Sequence, residues 1–221
     1  MPGGAWSDPM AYILINPNSC AEMTRSIRAM AETAAPGAAF EAWTSHDGPP
    51  AIQGAADGER ATGPLLDLVA RASERGAEGI VIACFDDTGL AEARRLAPCP
   101  VIGIGQAAFH VAALRGWRFS AVTTLPVSVP IIERNIRAYG FGPHLARVRA
   151  SDVPVLALEQ DPDAACARVT EEAARAFAED GVQAIVPGCA GMARLTAHLR
   201  AHLDRPVIDG VEAAARLIAA L

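Results

Sequence analysis

Short continuous apolar runs alternate along this chain with longer stretches in which apolar residues recur every three or four positions. Tyr12-Ile-Leu-Ile15 is one such run, stopped by Asn16-Pro17-Asn18, and predicts a buried strand. Gly79-Ile-Val-Ile-Ala83, Pro100-Val-Ile-Gly-Ile104, Phe119-Ser-Ala-Val-Thr123, Ala184-Ile-Val-Pro187 and Pro206-Val-Ile208 read the same way. The longer periodicity predicts helices from Ser19 to just before Pro36-Gly37, from Pro64 to Arg75, from Ile104 to about Leu114, from Pro130 to Tyr139 and from Asp163 to Glu179. Ser19, three residues before Glu22, fits a capping box at the first of these. Residues 44–63, rich in Gly, Pro, Asp and Ser, read as a long loop, and loops of that length in compact units are often functional. Strands alternating with helices give an α/β protein with mainly parallel sheets flanked by helices.

The pattern occurs twice. Gly76-Ala-Glu-Gly-Ile-Val-Ile-Ala-Cys84 aligns with Gly181-Val-Gln-Ala-Ile-Val-Pro-Gly-Cys189 at a constant offset of 105. Pro100-Val-Ile matches Pro206-Val-Ile at offset 106, and the end of the first strand, Ile13 to Asn16, matches Ser120 to Thr123 at offset 107. The repeat implies two similar, pseudo-symmetric lobes, residues 1–115 and 116–221, with the C-terminal helix free to pack back on the first.

Composition narrows the chemistry. The chain has 221 residues, 51% of them hydrophobic, and 19 basic against 25 acidic side chains. A net charge of −6 leaves no electrostatic footprint for nucleic acid or an anionic membrane surface. All 19 basic residues are arginine, accompanied by 47 alanines, the pattern of a GC-rich coding bias. With no lysine there is no Schiff-base amine for pyridoxal phosphate and no Walker A lysine. The start, Met1 to Asp8, lacks the basic and apolar regions of a signal peptide, and no apolar run reaches the length of a membrane helix. Five cysteines without a spacing framework suit a reducing cytoplasm, where thiols stay free for chemistry.

Cys84 and Cys189 each come directly after a buried strand and precede a helix, the position where open parallel sheets bind ligands. A helix N-terminus there would favour a thiolate. An isolated thiol at such a place is ordinarily a buried structural residue. Two of them at matching positions of a repeat point instead to paired acid/base groups facing one cleft. Such a pair suits a 1,1-proton transfer, one thiolate removing a proton and the other thiol returning one to the opposite face.

The chain resembles the hydantoin racemase branch of the aspartate/glutamate racemase superfamily. The resemblance runs from about residue 12 to the end. It is carried by Ile15-Asn-Pro-Asn-Ser19, Gly48-Pro49 with Ala51-Ile-Gln-Gly54, Ala83-Cys-Phe-Asp-Asp87 with Gly89-Leu90, Gly103-Ile-Gly105, Val122-Thr-Thr-Leu-Pro126, Pro187-Gly-Cys-Ala-Gly-Met192 and Pro206-Val-Ile-Asp-Gly-Val211. It implies cofactor-independent racemisation by Cys84 and Cys189 across a cleft between two α/β lobes, and a homo-oligomer. Racemases of free amino acids in the superfamily place Asn-Thr and Thr-Glu-like residues after their cysteines; here Phe85-Asp86 and Ala190-Gly191 stand there. A small neutral cyclic ureide is therefore the expected substrate, a 5-monosubstituted hydantoin, with allantoin the alternative. Decarboxylases of the superfamily keep one of the paired cysteines, and both are present here. A ligand-binding protein on a racemase scaffold is the reading from another class, disfavoured because a pure binder has no need of two such thiols.

Asn16, Ser19, Thr123 and Thr124 are expected as substrate contacts at the strand ends, with Phe85 and Ala190 beside the thiols. Asp86 and Asp87 read as residues that orient the loop and cap the next helix rather than as bases, since a carboxylate there raises a thiol pKa. His198 and His202, four apart around Arg200, read as solvated rather than metal-binding, and no metal site is expected. Gly103-Ile-Gly105 reads as close backbone approach rather than a dinucleotide fingerprint, because no acidic residue stands about 20 residues on. Cys20, Cys99 and Cys166 read as incidental.

Overall fold

The computed structural model describes residues 11–221. The Met1 to Asp8 stretch lies outside the described residues. The first half runs β1 (Tyr12–Asn16), α1 (Ala21–Ala34), β2 (Phe40–Thr44), α2 (Ala55–Glu74), β3 (Gly79–Ile82), α3 (Leu90–Leu96), β4 (Val101–Gly103) and α4 (Ile104–Leu114). The second runs β5 (Phe119–Thr123), α5 (Val129–Ala138), β6 (Leu145–Ala150), α6 (Ala157–Gln160), α7 (Pro162–Glu179), β7 (Ala184–Pro187), α8 (Thr196–Leu203) and α9 (Gly210–Ile218). Among the described residues no helix is long and apolar enough to cross a membrane.

Two parallel sheets result, ordered β2-β1-β3-β4 and β6-β5-β7. The predicted strand at Pro206 is a single bridge, Val207 to Ile185, in the place β4 holds in the first sheet. Register reproduces the sequence repeat: Ile13 pairs with Ile80 and Ser120 with Ile185. The strand ends match as well, with Ala83 N–H donating to Ile15 O and Gly188 N–H to Val122 O.

β2 and β6 are strands that the apolar pattern did not predict. Both lie at sheet edges, half-covered, and carry Glu41, Arg147 and Arg149 where a central strand would be apolar. The predicted loop at residues 44–63 is shorter, because α2 already starts at Ala55; Gly58, Gly63 and Pro64 disguise its first turns. Nor does Ser19 cap α1. The N-cap is Cys20, whose amide is taken by the Asn18 side chain at 2.9 Å.

Alternation along the strands divides the core. Leu14, Val81, Ala121 and Val186 face one shared apolar cluster between the sheets. Ile13, Ile15, Ile80 and Ile82 face a second cluster with Leu65 and Val69 of α2, while Val122 and Ile185 face a third with Val169 and Ala173 of α7. The shared cluster is closed by an exchange of helices. Phe109 of α4 stacks on Phe119 of β5, centroids 5.5 Å apart and planes 9° from parallel. Ile218 of α9 in turn lies over β3, so close to Gly79 that a Cβ there would meet it at 2.8 Å. α9 thus packs on the first sheet, and α4 and α9 pack on each other.

Phe109 also meets Phe85 edge-on at 5.5 Å, tying this core to the loop after β3. Phe109→Ala is expected to cost about 3–5 kcal/mol in urea denaturation; a loss below about 1 kcal/mol would show that the shared core does not depend on this ring.

Candidate active site

The carboxyl ends of β1, β3, β5 and β7 converge on one cavity lined by Cys84 and Cys189 together with Asn18, Met23, Ile52, Phe85, Asp86, Thr123, Thr124, Ser128, Val155 and Ala190. Of the residues expected from sequence, Cys84, Cys189, Phe85, Ala190, Thr123 and Thr124 are brought together here. Asn16 and Ser19 are not among its lining. Asn16 is fully buried beneath, its amide donating to Asn18 Oδ1 at 2.9 Å and Thr24 Oγ1 at 3.0 Å. It shapes the turn that puts Asn18 in the wall. Thr123 has its hydroxyl engaged, donating to Gly188 O at 3.0 Å and so fixing the approach to Cys189.

Each cysteine occupies a tight turn beyond its strand. Cys84 O accepts from the Asp87 amide at 3.0 Å, and the Cys84 Sγ accepts from the Asp86 amide with the Thr88 hydroxyl 3.5 Å away. Cys189 is the N-cap of a 3-10 turn, Ala190–Leu195; its carbonyl accepts from the Met192 amide at 3.0 Å, and the nearby Gly191 and Met192 amides favour an ionised sulfur. Each residue keeps a little accessible surface in the cavity, yet both sulfurs are ringed by protein.

Desolvation corrects the expectation of a resting thiolate. Burial pushes the Cys189 thiol up to about 12 and Cys84 higher still, and the Asp86 carboxylate raises both. The amide donors oppose this without overcoming it. For Cys84 there is also no adjoining helix start, because α3 begins only at Leu90.

The two acidic residues after Cys84 behave differently. Asp87, in the left-handed region at φ 50°, accepts from the Gly105 and Gln106 amides at 3.0 and 2.8 Å. It therefore caps α4, not the next helix α3, whose N-cap is Gly89. Gly103 and Gly105 must stay bare for this. A Cβ at Gly103 would lie 2.0 Å from Asp87 Oδ1, and one at Gly105 would lie 2.4 Å from Phe85 O. Asp86 makes no such cap and faces the cavity. Burial lifts both carboxyls to about 7.

Ile52 and Val155 were not expected from the sequence. They lie on the segments that succeed the two unpredicted edge strands, and the only signal for them was the Ala51-Ile-Gln-Gly54 string. Gln53 Oε1 accepts from the Val155 amide at 2.9 Å, joining the two segments. The cavity beneath is about 30 Å³, the share of one water. His198 and His202 stack on the exposed face of α8, and no group of three His, Cys, Asp or Glu among the described residues could hold a metal.

Residues 13–218 match the family model for Asp/Glu/Hydantoin racemase. The chain belongs to the Asp/Glu/hydantoin racemase family. It is 46% identical over 209 residues, 94% of this chain and 87% of the relative, to a hydantoin racemase of Rhizobium meliloti. The allantoin racemase from Klebsiella pneumoniae superposes with a TM-score of 0.90 at 42% identity, covering 96% of this chain and 87% of that one. An allantoin racemase from Pseudomonas fluorescens superposes at 0.91 with 32% identity, covering 96% and 90%. The protein is thus a racemase, an isomerase, with the two-sheet architecture of its relatives.

In this racemase Asn16→Ala would leave the buried Asn18 amide without its acceptor and remove the bonds to Asn18 Oδ1 and Thr24 Oγ1, and should lower stability by about 1–3 kcal/mol. An unchanged urea midpoint would show that the turn does not rest on this amide.

Proposed function

We propose that this racemase interconverts the enantiomers of 5-monosubstituted hydantoins without a cofactor, passing the C5 proton between Cys84 and Cys189. The observation that carries the reading is the placement of both thiols in one cavity at equivalent strand ends. One thiolate takes the C5 proton, and the C–H electron pair moves into the ring carbonyl as an enolate. The opposite thiol then protonates C5 on its other face, and the roles reverse for the other enantiomer. Amide donors on each sulfur hold the thiolate as it forms.

The lining supports a neutral substrate. No arginine is among the residues lining the cavity, and the Asp86 and Glu159 charges act on Cys189. A free amino acid would bring its carboxylate here without a cation to meet it. A hydantoin ring instead offers carbonyls and N–H groups to Asn18, Thr124 and Ser128, while Met23, Ile52 and Val155 provide an apolar wall for the 5-substituent. The Gln53–Val155 bond lies at the wall of this small cavity, beside the two apolar residues. The allantoin racemases among the similar structures favour a second reading, in which the polar ureido group of allantoin takes the place of the apolar substituent.

Optical rotation and deuterium uptake at C5 in heavy water test both. Cys84→Ser and Cys189→Ser are each expected to slow racemisation by about 10²–10⁴-fold. Full activity in either variant would sink the two-thiol mechanism. A benzyl-substituted hydantoin should show the higher kcat/KM; the reverse order assigns allantoin as substrate.

A further inference from the structure

The cavity lining holds one ionisable side chain besides the thiols, and direct proton transfer between the two sulfurs leaves it idle. Asp86 is the single residue that lines both the thiol cavity and a separate open cavity of about 510 Å³ between α2, α3 and α5. Its amide donates to Cys84 Sγ, its charge reaches both sulfurs, and its carbonyl is held by Asn135 Nδ2 at 2.7 Å. The ionisable side chains that share this open cavity with it are Arg134 of α5 and Tyr139 just beyond that helix, Glu59 of α2, Glu92 and Arg94 of α3, and Asp87 on its own loop. Of the cations, the Arg134 guanidinium is the one that counters its charge.

We propose that Asp86 is the proton acceptor for Cys84, holding the thiol proton through each turnover and handing it to the opposite sulfur at the end. The proposal rests on the two-thiol mechanism. At rest both thiols carry their protons and Asp86 is a carboxylate. The Cys84 S–H bond breaks, an O–H bond forms on Asp86, and the electron pair stays on sulfur. The thiolate takes the C5 proton while Cys189 gives its own to the opposite face, which leaves Cys189 as a thiolate. Asp86 then protonates Cys189, its O–H pair returning to the carboxylate, and the resting state is restored with no net gain or loss of protons. The reverse sequence serves the other enantiomer. Asp86 thus acts through the sulfurs as a positioning residue, and the open cavity gives its proton access to solvent.

This arrangement accounts for thiols that are poor acids beside a carboxyl lifted to about 7. The pair becomes competent once Asp86 ionises, so activity rises with pH through about 7 and then levels, although the thiols themselves titrate far higher.

The test is the rate of Cys84 alkylation by iodoacetamide against pH, read at the Cys84 peptide by mass spectrometry, alongside the pH profile of kcat/KM. In the unaltered protein both should inflect near pH 7. In Asp86→Asn the inflection should vanish, with rates climbing about tenfold per pH unit to pH 9 and racemisation at pH 7.5 down at least about 10²-fold. Asp86→Glu should restore an inflection. Alkylation of the unaltered protein that rises only above pH 9 overturns the proposal without any variant, as does an unchanged inflection in Asp86→Asn. Because alkylation needs no substrate, its outcome is separable from that of the racemase reading, which fails if Cys84→Ser still racemises.

Discussion

Desolvation is the constraint on which this site depends. Two sulfurs enclosed by protein hold their protons tightly, and any charge placed between them is met by few solvent dipoles. That same dryness makes a thiolate, once formed, a stronger base than one in water. Apart from the Asp86 carboxyl, the wall is built from hydroxyls, one amide and apolar groups. A strong cation would draw in an anionic ligand and lower the thiol pKa together, and none is among the residues lining the cavity.

The halves repeat each other without being identical around sulfur. Cys189 opens a 3-10 turn whose Gly191 and Met192 amides favour its ionised form. Cys84 has one amide, one hydroxyl and the neighbouring Asp86. A repeated scaffold thus gives its two sulfurs unlike surroundings. The difference traces to the three residues after each cysteine, Phe-Asp-Asp in one half and Ala-Gly-Met in the other. The second aspartate is committed to α4, so the bare glycines at Gly103 and Gly105 belong to the placement of Cys84 as much as to α4 itself.

Much of this was legible in the sequence because the central strands are buried on both faces and so read as unbroken apolar runs. The register of β1 on β3 and of β5 on β7 agrees with the internal repeat, which also pairs the two cysteines. Edge strands were illegible for the opposite reason. With one side open, β2 and β6 tolerate Glu41 and Arg147, and lose the signature of a strand. Arg149 is buried on β6, where Asp180, Glu172 and Glu179 surround it, a network assembled from residues far apart in the chain. Ile52 and Val155 went unread because they depend on those edges. Asn16 and Asn18 could not be told apart by type or position; only the hydrogen-bond geometry shows that one supports the turn and the other faces the cavity.

The exchange of α4 and α9 bears on how such a chain could have arisen. The last helix of the second half, α9, covers β3 and β4 of the first sheet, while α4 packs on α9 and lays Phe109 on Phe119 of β5. A single unit of about 105 residues with this topology could not close its own core, and would bury the exposed face of its sheet by swapping that helix with a second copy. The present chain carries both sheets and both helices on one polypeptide, with α4 leading into β5 through a short turn. Fusion of this kind fixes the two units at equal concentration and in one orientation. After it, the residues flanking the two cysteines were free to diverge, which a homodimer of identical chains would not permit.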